Sequence, residues 1–504
     1  MRIFCLGVVW LSLCSAAGAV GAKESPGTPA SVPASASAAL APACDAAPAT
    51  PAPVAVPEQL PAGNLPAAKL PAETGALAVK QFPLAQELLV FTSVMSELEP
   101  VLINPDIPAQ LGQLSHFQFS AEAKQKLKAL YGKENPLTLK VSRHNKKTAQ
   151  VHFVLERLDH RNPASGAHLQ VSPLVGDIRY SQGLTRRASS ERLSTLLLDD
   201  GNSLRFGLND FKISGDQSSG FGALWLGKSR IGVDSISVDN DASDWHLQLK
   251  HLALSTQVKK TAAQRVDIDH ESSIESIRWG AYRVGPVHMA AHMGPLDGPL
   301  VGAFVAQLNQ INRKDYGAND AERAKAQRDL LQDLGRKLLR TGVALDIQDL
   351  SVQYQGLTAG LNGQLALSRL AEGQDATPQW FKENLWLQLH VHVPKQLVEA
   401  VGEIMTRGLL EAKNKTGLPV SEDEVKLAGK VFFRNLVGPL LQKNWLRLEH
   451  DVLVSTIEFK GGKLWVNGNS VELPQLAPAP VPEPKPASAP EPVPQALPNA
   501  DKKE

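Results

Sequence analysis

From Leu137 onward the chain alternates apolar and polar residues in short runs. Leu137, Leu139 and Val141 lead into a polar stretch over 142–150, and Val151, Phe153 and Leu155 follow it, which predicts a hairpin. Leu204, Phe206 and Leu208 keep the same period, as do Trp245, Leu247 and Leu249. Leu252 and Leu254 continue one residue out of step, which predicts a bulge. Val343, Leu345 and Ile347 alternate, then Leu350, Val352 and Tyr354, then Leu357, Leu361, Leu365 and Leu367. Over 385–393 every odd position is apolar. A period of two sends alternate side chains to opposite faces, so these runs predict one large sheet with a dry side and a wet side.

Helical spacing interrupts the alternation. Residues 84–101 are apolar, with helical or mixed character. Leu300, Val301, Phe304, Val305, Leu308 and Ile311 fit one helix face. Asn319 or Asp320 can cap a second helix bearing Ala324, Leu330, Leu331, Leu334, Leu338 and Leu339, with Gly342 as its stop. Pro394 suits a first helical position, with Leu397, Val401, Ile404 and Met405 striped behind it. Ser421 and Glu424 have capping-box spacing ahead of Val425, Leu427, Ala428, Val431, Phe432 and Leu436. The expected fold class is α+β: a large, mostly antiparallel curved sheet with helices packed on it.

Composition changes the picture at the two ends. Residues 23–82 hold eleven prolines among alanines, and 475–504 hold nine more. Proline removes backbone donors and alanine offers little to bury, so both segments are expected to be extended and disordered. Ahead of the first lies Met1-Arg2, then an apolar run over 3–13, then small residues with two cleavage-competent patterns, Ala17-x-Ala19 and Val20-x-Ala22. That order reads as a signal peptide over 1–22, the alternative being an uncleaved anchor. The expected division is a signal peptide (1–22), a Pro/Ala linker (23–82), a β-rich domain (83–474) and a Pro/Ala tail (475–504). The expected location is the periplasm or cell envelope. Cys5 and Cys14 fall in the signal segment and Cys44 in the linker, so no disulfide is expected inside the domain. Leu11-Ser12-Leu13-Cys14 is close to a lipoprotein box, but Leu13 is bulky for the place before a lipidated cysteine.

Charge is balanced, with 52 Lys+Arg against 51 Asp+Glu, which gives no broad field for nucleic acid. One motif matches a phosphate loop letter for letter: Gly222-Ala-Leu-Trp-Leu-Gly227-Lys228-Ser229. That chemistry needs a tight loop between a buried strand and a helix N-terminus. Here bulky residues fill the loop and Ile231, Val233, Ile236 and Val238 continue as a strand, so no nucleotide is expected. Asp239, Asp241 and Asp244 begin like a calcium loop, yet the sixth and twelfth positions hold Asp244 and Lys250 where an EF-hand needs Gly and Glu. His390 and His392 share a polar strand face without a third ligand nearby. His288 and His292 are four apart on a run that alternates as a strand, which points them to one face without a companion carboxylate. There is no Gly-x-Ser-x-Gly elbow, and Cys44 has nothing beside it to activate it. No catalytic, cofactor or metal residue is assigned. Trp225, Trp245, Trp279, Trp380, Trp386, Trp445 and Trp465 are expected to anchor cores.

Four segments carry a family likeness: Gly176-Asp-Ile-Arg-Tyr-Ser-Gln-Gly183, Leu350-Ser-Val-Gln-Tyr-Gln-Gly356, Asn384-Leu-Trp-Leu-Gln-Leu-His-Val-His-Val-Pro-Lys395, and Phe459-Lys-Gly-Gly-Lys-Leu-Trp-Val-Asn-Gly-Asn469. In them the chain resembles the YdgA-like family of bacterial envelope proteins, a family of unknown function. The likeness spans about 83–473 and implies a signal-like N-terminus and a long β-rich body, with no catalytic residues to transfer. Two functional classes follow. The first is a non-enzymatic envelope protein binding lipid or another apolar ligand along the sheet. The second is an interaction or scaffold module with the Pro/Ala segments as spacers, ahead of a distant envelope hydrolase.

Overall fold

The computed structural model describes residues 86–102, 106–242, 245–313, 320–413 and 420–472. The signal peptide, the linker and the tail expected from the sequence lie outside these described residues. The chain divides into two units, Met1–Leu89 and Val90–Glu504, and the fold below is that of the second.

Three helices come first: α1 (Gln86–Leu102), α2 (Ile107–Ser115) and α3 (Ala121–Tyr131). Asp106 caps α2 by accepting from the Ala109 amide at 3.1 Å, and Ser120 caps α3 by accepting from Ala123 at 3.1 Å. Glu97 of α1 in turn accepts from the Ser120 hydroxyl and amide, at 2.7 and 3.0 Å, which ties α1 to the start of α3.

The sheet then begins with β1 (Leu137–Asn145), β2 (Thr148–Leu155), β3 (Leu158–Arg161), β4 (His168–Val171), β5 (Leu174–Ser181) and β6 (Arg186–Asp199). Six more follow, among them the four longest: β7 (Leu204–Phe221), β8 (Leu224–Asn240), β9 (Trp245–Ala262), β10 (Arg265–Ile274), β11 (Ser276–Trp279) and β12 (Tyr282–Asp297). Helices α4 (Gly298–Arg313) and α5 (Asp320–Thr341) leave the sheet, and β13 (Val343–Tyr354) and β14 (Leu357–Leu367) return to it. After α6 (Pro378–Asn384) come β15 (Leu385–Pro394), α7 (Lys395–Lys413) and α8 (Glu422–Gln442). Four short strands close the order: β16 (Arg447–Glu449), β17 (Val452–Lys460), β18 (Lys463–Val466) and β19 (Asn469–Val471).

Every pairing among the described strands is antiparallel, and neighbours in the sheet are mostly neighbours in the chain. The helices enter as insertions between otherwise adjacent strands. The architecture is thus the expected one: a large antiparallel sheet with helices packed on it.

Details of the sequence reading shift. The first hairpin turns tightly between Asn145 and Thr148, so the polar stretch over 142–150 is mostly strand. Pro394 ends β15 opposite Val452 instead of opening a helix. Ser421 occupies the N-cap position of α8 but makes no side-chain cap bond, and Glu422 is held by Arg407 at 2.8 Å. The Asn467-Gly468 turn forms as expected, both residues having positive φ (51° and 79°).

The out-of-step leucines of β9 belong to something wider. Val233 lies opposite Leu252 and Ile236 opposite Leu249, so β8 and β9 change step together. Leu193 opposite Phe211 and Leu196 opposite Leu208 repeat the change between β6 and β7. Asp210 and His251 adopt left-handed backbone at these places, both at φ 50°. A left-handed residue in a strand breaks the pleat and alters which side chains follow on a face. Charged side chains fill the crease. Asp210 accepts from Arg192 at 3.1 Å and also pairs with Lys212, while His251 contacts Asp234 at 3.0 Å and Glu275 at 2.5 Å.

One end of the dry face is sealed. Val94, Leu98, Leu111, Leu114 and Leu127 of the first three helices pack against Val151, Phe153, Leu155, Ile178 and Tyr180. Gln110, buried among them, accepts from the Tyr180 hydroxyl at 2.6 Å. Each such apolar side chain contributes roughly 1.5–3 kcal/mol on burial.

Candidate ligand-binding face

Residues directly opposite one another in paired strands share a face, so the registers assemble the dry side row by row. One row runs Ile268, Met293, Leu345, Leu365, Leu387 and Phe459, from β10 to β17. The next runs Ala291, Ile347, Gly363, Leu389, Ile457 and Val466. A third runs Met289, Leu350, Leu361 and Val391. The β-branched and leucine side chains that make these strands therefore also make a continuous apolar tract.

That tract is half-open. On β13, β14 and β15 no apolar side chain of the three rows is buried, and Leu350 is 41% exposed. By contrast, Val151 on β2 is 0% exposed beneath the first helices. Helix α4 covers only one margin, where Val301 packs with Leu224, Val266 and Leu296.

A polar seam bounds the tract on its β6–β10 side. Ser189, Gly215, Ser229, Thr256 and His270 stand opposite one another in turn and meet Ala291. His270 is buried, shares a hydrogen bond with the Thr256 hydroxyl at 3.1 Å, and has its imidazole pushed down by burial. Arg187 and Glu191 flank the seam on β6. Arg187 donates to Gln217, lies 4.5 Å from the Trp225 ring centre, and leaves its Nε unpaired. Burial pulls the Arg187 guanidinium down and pushes the Glu191 carboxyl up.

The wet side carries a different chemistry. His288 contacts Asp349 at 2.8 Å and Glu271 at 3.5 Å, and His292 contacts Asp269 at 2.7 Å. This corrects the expectation that these two histidines lack carboxylate companions. The acids come from β10 and β13, strands that border β12 in the sheet but lie apart from it in the chain. Asp349 raises His288 above its usual range, and Lys259 and His292 together hold Asp269 below the usual carboxylate range. Such paired groups fix cross-strand register. Among the described residues no three His, Cys, Asp or Glu side chains stand close enough to share a metal ion.

Other residues singled out in the sequence are dispersed. His390 meets the Thr456 hydroxyl at 3.2 Å, and His392 stacks over Gly360. Asp239 is taken by His246 at 2.9 Å and Asp241 by Arg205 at 2.8 Å, while Asp244 lies outside the described residues. The phosphate-loop match straddles a hairpin turn and strand β8. Lys228 lies opposite Asp216 in a β ladder, and no helix follows it. Of the seven tryptophans expected in cores, Trp380 is buried at 4%, Trp279 is 58% exposed, and the rest are half-buried.

A family model described as "Bacterial protein of unknown function (DUF945)" matches residues 110–474. No curated protein and no solved structure matches the chain.

Proposed function

The chain belongs to that bacterial family of unknown function, and we propose that it is an exported, non-enzymatic envelope protein that binds the acyl part of a lipid along the dry face of its sheet. The single observation that carries this reading is the half-open apolar tract of β13, β14 and β15. An apolar tract of this continuity is costly to leave in water, at about 25 cal/mol per Å². It crosses six strands between β10 and β17, roughly 24 Å at the usual strand spacing. That is the length scale of a long acyl chain, and each buried methylene contributes about 0.8 kcal/mol. Export rests on the cationic start, the apolar run and the small residues of 1–22. It agrees with the likeness to the YdgA-like envelope proteins.

Native mass spectrometry and solvent extraction of the purified full chain test the lipid reading. The expected result is a long-chain lipid released by organic solvent, or uptake of a fluorescent fatty acid by the stripped protein. Protein that carries no lipid and takes up none would remove it. Cell fractionation with N-terminal sequencing tests export. The expected mature start follows Ala19 or Ala22, and an intact N-terminus on a cytoplasmic protein would overturn that part.

A further inference from the structure

At one end of the central strands the dry face runs out into exposed aromatic rings. Val238, Leu247, Trp279 and Tyr282 stand opposite one another across β8, β9, β11 and β12. In the next row, Ile236, Leu249, Ile277, Val284 and Tyr354 do the same. Trp279 and Tyr282 close the β11–β12 hairpin, whose turn is Gly280-Ala281, and are 58% and 36% exposed. Rings of this kind normally seek a core or a hydrogen-bonded interface.

The same hairpin carries a charge pattern that the fold does not need. Arg278 and Arg283 are directly opposite one another and both are exposed. Like charges facing across a ladder are destabilising. Among the described residues neither guanidinium meets a carboxylate, and Arg278 reaches only the Gly280 carbonyl at 3.4 Å. The carboxylates nearest along this end are already engaged, Asp239 by His246, Asp241 by Arg205 and Glu275 by His251. The tip is therefore an aromatic point that carries two arginines no described carboxylate contacts.

We propose that the Trp279–Tyr282 hairpin docks this protein on an anionic lipid surface. Tryptophan and tyrosine place an apolar body and a polar edge at the headgroup level, and paired arginines answer the lipid phosphates. The inference goes beyond the ligand reading and does not require the sheet to hold a lipid. A contact at this end would set the mouth of the apolar rows against the membrane.

The test is flotation of the full chain with phosphatidylcholine vesicles made with and without phosphatidylglycerol. The chain is expected to float with the anionic vesicles, less so in high salt, and weakly or not at all with the neutral ones. Arg278→Gln with Arg283→Gln is expected to weaken that binding roughly thirtyfold, and Arg278→Lys with Arg283→Lys to retain most of it. Trp279→Ser with Tyr282→Ser is expected to abolish it. The apolar run over 3–13 is present in every variant, so only differences between variants bear on the hairpin. Thermal melts of the Gln pair should stay level or rise, because a like-charge contact is removed. Equal flotation of all variants on anionic vesicles, or an arginine-pair loss as large on neutral vesicles as on anionic ones, would overturn the proposal. Lipid bound by the sheet in a protein whose hairpin variants float unchanged would overturn it while leaving the ligand reading intact.

Discussion

His288 and His270 occupy opposite faces of neighbouring strands, and their surroundings pull them in opposite directions. The hydrogen bond to Asp349 raises His288 above its ordinary value of 6.5. The folded chain therefore holds that proton more tightly than the unfolded chain. The resulting stability is complete below pH 6.5 and fades as pH climbs through the raised value. Burial lowers His270 from 6.5, so the folded chain resists its protonation. That contribution is complete above pH 6.5 and fades as pH falls through the lowered value. Melting temperature measured across the pH range should separate the two. His288→Asn is expected to flatten the decline on the alkaline side of 6.5, and His270→Asn the decline on the acid side. The reverse assignment, or two unchanged profiles, would show that these environments are not those of the folded protein. The sequence could show that His288 and His292 lie on one strand. It could not show their partners, because Asp349 is 61 residues from His288 and Asp269 is 23 from His292.

The phosphate-loop spelling of β8 has a mechanical origin. Gly227 holds φ at 125°, and a Cβ there would lie 2.3 Å from the Asp216 carbonyl oxygen. The glycine is thus demanded by close approach of β7, not by a phosphate. Gly227→Ala should destabilise the chain by about 1–3 kcal/mol, read as a fall in denaturation midpoint. Lys228→Gln should change stability by less than about 0.5 kcal/mol. A glycine substitution without cost, or ATP-dependent stabilisation abolished by Lys228→Gln, would return the motif to nucleotide chemistry. The strand character of this segment was legible because Ile231 and Val233 alternate. The crease was legible only in part. Leu249 and Leu252 betray a change of step in β9, but its alignment with the change in β8 depends on register, which no single strand encodes. The cap of α8 misled for a related reason. Capping-box spacing puts Ser421 at the N-cap, yet its side chain makes no cap bond, a detail of local geometry that spacing alone does not encode.

Over the whole of the second unit, the same period of two yields a sealed region and a half-open one. Alternation made the large sheet readable, but not the difference between Val151 and Leu350, which are both apolar strand residues. Coverage is decided by which helices pack where. The short connections before β1 bring α1–α3 onto β2 and β5, whereas α4 and α5 leave at the β12 end and return at once to β13. The two regions should then respond oppositely to one charged side chain. Val151→Asp buries a carboxylate at a site with 0% exposure and is expected to prevent stable folding. Leu350→Asp, alone or with Leu361→Asp, places the charge where Leu350 is already 41% exposed, so the fold should persist. Those variants should nevertheless lose fatty-acid uptake, because a carboxylate in the middle of the third row interrupts the tract an acyl chain would follow. Circular dichroism checks the first half of this contrast and fluorescent-lipid titration the second. A folded Leu350→Asp, Leu361→Asp protein that binds lipid as well as the parent would place the ligand elsewhere. A Val151→Asp protein with an unchanged melt would mean that the helices do not seal that end.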